Sequence, residues 1–111
     1  MPQISSQAPQ LASLTWGANR TSGAMLSWLF SSYLQDLPNL KICLSEGGIG
    51  WVAGLLDRLD HMLSYHEMYG TWKALGETLT PAEVFKRNFW FCAVEDQSSF
   101  VQYDRIGQDN I

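Results

Sequence analysis

The sequence predicts an α/β fold built on a parallel sheet with right-handed crossovers. Two observations carry that expectation. Two short apolar runs bounded by turn signals, residues 40–46 and 89–94, have the length and composition of strands covered on both faces. Stretches of helical spacing lie before, between and after them, so the element order is helix, strand, helix, helix, strand, helix, the alternation that feeds parallel pairing.

Residues 1–10, with Pro2, Ser5, Ser6 and Pro9, show no apolar period, and residues 1–21 read as a loose lead-in. Leu26, Leu29, Phe30, Tyr33, Leu34 and Leu37 then fall on one face of a helix that Pro38 and Asn39 end. The run Leu40-Lys41-Ile42-Cys43-Leu44-Ser45-Glu46 reads as the first strand, and Gly47, Gly48 and Gly50 as the loop after it. Val52, Leu55, Leu56, Leu59, Leu63 and His66 return to helical spacing, which extends to near Gly70. A weaker helical stretch from Trp72 to Leu75 is cut by Gly76. Thr80-Pro81-Ala82-Glu83 starts the next helix, with a capping hydroxyl, proline in the first turn and a glutamate able to complete a capping box. That helix runs to about Arg87, the second strand follows over 89–94, and residues 98–106 form a last short helix. Asn110 and Ile111 read as the first residues of a further strand.

Only 16% of the 111 residues are charged, against 46% apolar, where an ordinary domain has about 25% charged residues. That composition excludes disorder. A net charge of −4 with scattered basic residues excludes a phosphate-binding stripe, so no nucleic acid is expected as a partner. Cys43 and Cys92 are too few for a disulfide scaffold, and their apolar neighbours read them as buried, reduced thiols. The uncharged stretch 21–35 is shorter than the ~20 residues that span a bilayer, and the first residues hold no basic and apolar leader. The expectation is a single domain over 1–111, cytoplasmic, with no membrane partner.

In βα architectures the chemistry gathers at the carboxyl ends of the strands. Both strands end there in acids, Glu46 before Gly-Gly-Ile-Gly and Glu95-Asp96 after the second run. Glu46 and Asp96 are therefore the candidate catalytic residues, suited to acid–base work or a hard cation, and Glu95 reads as a solvated neighbour. Residues 48–53 also fit the G-x-G-x-x-G/A pattern of a dinucleotide loop. The anionic Glu46, the bulky Trp51 and the absence of an acid near residues 70–75 weigh against it. His61 and His66 are five apart and do not share a helical face as a metal pair would; His66 reads as a core residue and His61 as a neighbour of Asp57. Trp28, Phe30, Tyr33, Phe89, Trp90 and Phe91 read as core or packing aromatics, with Trp51 alone beside the presumed site.

The string from Leu40 to Trp51, followed by Leu56-Asp57-Arg58-Leu59-Asp60, resembles the amidohydrolase-related family of metal-dependent (β/α)8 barrels, which includes aminocarboxymuconate-semialdehyde decarboxylase-like enzymes. Residues 81–90 resemble that family's segment before its next strand, and residues 106–111 its lead into the last strand. The resemblance runs from about Leu26 onward. It implies a partial (β/α)8 TIM-barrel segment with two complete parallel strands and their covering helices.

The resemblance also implies a zinc-like divalent metal in the full-length family, held by an H-x-H, a middle-strand histidine and a last-strand aspartate. By that resemblance none of these falls in this chain, so no cofactor is expected for it alone, and a small-molecule substrate only if the barrel is completed. Many members carry a catalytic histidine where this sequence has Glu46, and others a glutamate; Asp96 takes the place of an acid after the following strand. The implied function is a fragment of an enzyme that hydrolyses C–N or C–O bonds or decarboxylates a small carboxylate, inactive by itself. The alternatives are a non-catalytic self-associating or partner-binding module and, third, a dinucleotide-binding unit. Open strand edges and apolar faces predict homo-oligomerisation.

Overall fold

The computed structural model describes residues 4–66, 72 and 79–111. In chain order it forms α1 (Gln10–Trp16), α2 (Ala18–Leu29), α3 (Tyr33–Asp36), β1 (Ile42–Leu44), α4 (Val52–His66), α5 (Pro81–Asn88), β2 (Phe89–Phe91), a 3₁₀ turn (Gln97–Gln102), α6 (Tyr103–Ile106) and a second 3₁₀ turn (Gln108–Asn110). β1 and β2 pair in parallel, with Ile42 opposite Phe89, Cys43 opposite Trp90 and Leu44 opposite Phe91. The α/β reading with parallel strands thus holds, as a small sheet among helices.

The core lies on one face of that sheet. Phe89 and Phe91 point into it, and Phe85 of α5 stacks on both rings at centroid distances of 5.0 and 5.4 Å. Met25 and Leu29 of α2, four residues apart and so on one stripe, close the core with Leu34, Ile49, Val52, Leu56, Val84 and Ile106. Trp72 is buried against Phe30 in an edge-to-face contact. The remainder of the helical stretch expected from Trp72 to Leu75 lies outside the described residues, as does the helix beyond His66 toward Gly70.

The start of α5 follows its sequence signature. The Thr80 hydroxyl accepts from the Glu83 amide, the Glu83 carboxylate accepts from the Thr80 amide, and Pro81 fills the first turn. At its other end Asn88 is fully buried, and its amide donates to the Pro38 and Leu40 carbonyls, fixing the entry to β1 beside β2. Arg105 of α6 reaches back to Asp57 and Asp60 of α4 at 3.0 and 2.6 Å. The hydrogen bond to Asp60 raises the Arg105 guanidinium above its ordinary range; partial burial opposes it, and the hydrogen bond to Asp57 adds to the rise.

Four expectations are corrected. Residues 10–21 are helical rather than a loose lead-in: Pro9 stands at the N-cap of α1, and Leu11 and Leu14, one turn apart, sit on a helix that buries none of its residues. The radius of gyration, 15.0 Å against the ~13 Å of a compact chain of this length, is in keeping with such a helix lying on the surface. Second, the helix expected through Leu37 breaks after Leu29. The Ser31 hydroxyl donates to the Trp28 carbonyl, a local bond that competes with helix continuation, and the new direction leaves Tyr33, Leu37 and Trp28 exposed.

Third, among the described residues the strands are packed on one face only. Ile42, Leu44, Phe89 and Phe91 face the core, while Lys41, Cys43 and Cys92 are exposed and Trp90 half-buried. Cys43 and Cys92 are therefore surface thiols rather than core residues, because pleat alternation places both opposite the packed face. Both should be titrated by Ellman's reagent in the native protein without denaturant, as measured by absorbance. Fourth, Asn110 does not begin a strand. Gly107, at φ 102°, turns the chain inward, and the Asn110 amide donates to the Lys86 and Phe89 carbonyls.

Candidate functional site

Parallel pairing carries both strands to the same end of the sheet, so their acids emerge side by side. Glu46 stands two residues past β1 at φ 57°, and Glu95 four past β2 at φ 53°, left-handed conformations that glutamate seldom adopts. At this end of the sheet opens a cleft of about 580 Å³ lined by Glu46, Gly47, Gly48, Gly50, Trp51, Val94 and Asp96, with Leu14, Gly17, Asn19 and Thr21 along its other wall. Glu46 and Asp96, the candidates read from the sequence, therefore share one opening, and Glu95 is exposed beside it.

The two acids differ in what they touch. Asp96 is half-buried, and its carboxylate accepts three backbone N–H groups: Ile49 at 3.0 Å and Val94 at 2.7 Å on Oδ2, and Gly50 at 3.2 Å on Oδ1. It ties the loop after β1 to the loop after β2. Glu46 is exposed, and among the described residues its carboxylate engages no hydrogen-bond or ionic partner. An acid committed to three donors holds shape; an acid with free oxygens can exchange a proton or hold a polar ligand.

Glycine makes the Asp96 contact possible. Gly48 has φ 73°, and a Cβ there would stand 3.2 Å from Asp96 Oδ2. The Gly-x-Gly segment with the N-terminus of α4 thus forms a backbone nest of the kind that binds anions, and the anion it holds is the chain's own carboxylate. Two of the N–H groups a pyrophosphate would use are occupied, a further observation against the dinucleotide reading.

Trp51 takes the place expected of it beside the site. Its indole N–H donates to the Gly47 carbonyl at 2.9 Å, and its ring meets Phe91 edge-on at 5.8 Å. The wall from Leu14 to Thr21 was hidden in the stretch read as loose; the one signal for it was the spacing of Leu11 and Leu14 after Pro9. Thr21 packs so closely on Gly47 that a Cβ at Gly47 would lie 2.5 Å from the threonine methyl. Gly47→Ala should therefore push α2 from the cleft wall and cost about 1–3 kcal/mol, measured by urea denaturation.

His61 lies on α4 against Tyr65, with ring centroids 4.6 Å apart, and Asp57 pairs with Arg105 instead. The side chain of His66 is outside the described residues. Among the described residues no group of three or more His, Cys, Asp or Glu side chains is arranged to hold a metal ion, and no helix is long and apolar enough to cross a membrane. No protein-family model matches the chain, and no curated protein compared with it matches.

Proposed function

We propose that the chain is a segment of a metal-dependent amidohydrolase-type (β/α)8 barrel, an enzyme that hydrolyses C–N or C–O bonds or decarboxylates a small carboxylate, with Glu46 as this segment's proton-handling group. The observation that carries the reading is the meeting of Glu46 and Asp96 in one cleft at the carboxyl ends of adjacent parallel strands, where barrels of this kind place their chemistry. The helical crossover between those strands is in keeping with the repeating unit of such a barrel.

Glu46, with free oxygens beside Trp51, supplies the exchangeable proton, and Asp96 is a positioning residue that holds the loop carrying it. These residues do not fit a divalent metal by themselves, since Asp96 spends both oxygens on backbone donors and Glu46 alone offers too few ligands. The zinc-like metal that the sequence resemblance implies belongs, on this reading, to ligands outside these 111 residues, and the segment alone has no hydrolytic activity. Two exposed, unpaired thiols support a reducing, cytoplasmic setting. A second reading, a non-catalytic self-associating module, is favoured by the uncovered sheet face.

The coding DNA on both sides of this sequence tests the first reading. An in-frame H-x-H upstream and an aspartate codon soon after Ile111 are expected. Stop codons on both sides without either motif would overturn it in favour of the module.

A further inference from the structure

The strand-end cleft is one-sided in the hydrogen-bonding capacity that its side chains leave unused. Asp96 spends both oxygens on backbone N–H groups, so its charge is already engaged. Glu46 lines the same cleft with a carboxylate that has no partner among the described residues. On the other wall the Asn19 amide N–H donates to the Trp16 carbonyl at 3.4 Å, which leaves the Asn19 side-chain oxygen as an acceptor. The Thr21 hydroxyl beside it is likewise without a partner among the described residues. No lysine, arginine or histidine stands among the described residues that line the cleft. The uncommitted side chains are therefore acceptors, apart from a hydroxyl that serves either way, and the one open charge is negative. The rest of the lining is apolar: Leu14, Val94 and the Trp51 ring, which its bond to the Gly47 carbonyl and its contact with Phe91 hold in place.

We propose that this cleft holds a small organic cation, a primary ammonium on a short apolar body, with Glu46 as its counter-charge. The ammonium has three N–H donors and no acceptor, the complement of a carboxylate, an amide oxygen and a hydroxyl. The apolar body lies against Leu14, Val94 and Trp51, and an aromatic ring beside a cation adds to its attraction. A volume of about 580 Å³ suits a ligand of that size. A carboxylate ligand would meet Glu46 with no cation in the lining to offset it, and the net charge of −4 opposes its approach. The inference rests on the reading of this cleft as the place where substrate is held, and it selects an amine-bearing substrate over a small carboxylate. The ionised Glu46 that pairs with the ammonium is also the form that accepts a proton.

Titration of the ¹⁵N-labelled 111-residue chain with benzylammonium, followed through amide and indole N–H shifts, tests it. Saturable shifts are expected at Gly47, Thr21 and the Trp51 indole, with a dissociation constant in the millimolar range and about fivefold weaker binding in Glu46→Gln. Benzoate and benzyl alcohol, which keep the ring and change only the polar group, should bind the unaltered protein at least fivefold more weakly, a comparison that needs no variant to fold. Benzoate binding as tightly as benzylammonium would overturn the proposal. So would the absence of saturable shifts at these cleft residues, or a Glu46→Gln chain of unchanged affinity. None of these results bears on the flanking coding sequence: a cleft that prefers benzoate leaves the barrel reading standing, and stop codons on both sides leave the amine site standing.

Discussion

Phe85→Ala should cost about 3–5 kcal/mol and leave the chain largely unfolded at room temperature. Phe85 has no exposed surface, and its ring lies between helix and sheet, nearly parallel to both Phe89 and Phe91 at interplanar angles of 26° and 14°. Truncation removes the ring's own transfer free energy and opens a cavity where α5 meets β2, and aromatic pairs add about 0.5–1.5 kcal/mol beyond area. Domain stabilities are only about 5–15 kcal/mol, lower for short chains, so the loss is a large fraction of the total. Urea denaturation followed by far-ultraviolet circular dichroism measures it. Phe85→Leu, which keeps most of the volume, should recover more than half the loss; a Phe85→Ala midpoint close to the unaltered protein's would show that the three rings do not form the core.

The second large effect is expected at Asp96. Asp96→Ala removes the acceptor for the Ile49, Gly50 and Val94 N–H groups at once, and hydrogen bonds to a charged partner are worth about 1.5–3 kcal/mol each before water replaces them. Gly50 and Val94 are exposed and recover water, whereas Ile49 is buried, so a net cost of about 2–4 kcal/mol is expected. The loss is local before it is global. Amide hydrogen exchange at Ile49 and Val94 should accelerate at least tenfold while exchange in α4 changes less. Asp96→Asn retains one acceptor oxygen and should fall between. Uniform acceleration over the whole chain would mean that Asp96 is an ordinary contributor to stability and not the tie between the two strand-end loops.

How much of this was legible in the sequence depended on the range of the interaction. Thr80, Pro81 and Glu83 act within one turn, and the capping box they predict is the one that forms. The apolar spacing from Val52 onward likewise placed α4, because a helix buries a stripe its own sequence defines. The convergence of Glu46 and Asp96 was legible too, since parallel pairing fixes which strand ends are neighbours.

The exposure of Cys43 and Cys92 was not legible. Whether a strand has one covered face or two depends on how many layers pack around it, and the apolar run is the same in either case. The division of labour between the two acids was hidden for a related reason. Three donors converge on Asp96 because the glycine loop, remote in sequence, passes beside it, and nothing local to residues 94–98 announces this. The serine bond that ends α2 is local, but it competes with a longer-range apolar stripe, and spacing alone does not rank the two.

The sheet is held at both ends by polar side chains that are not part of it. Asn88 grips the Pro38 and Leu40 carbonyls below the paired residues, and Asp96 grips the Ile49 and Gly50 amides above them. A parallel pair of three residues per strand has little of its own to prevent sliding, and a one-residue slip would exchange every side chain between the two faces. Here a slip must break both grips together. The two side chains therefore act as end stops on a short rail: they decide that Phe89 and Phe91 face inward and that the thiols and Trp90 face out.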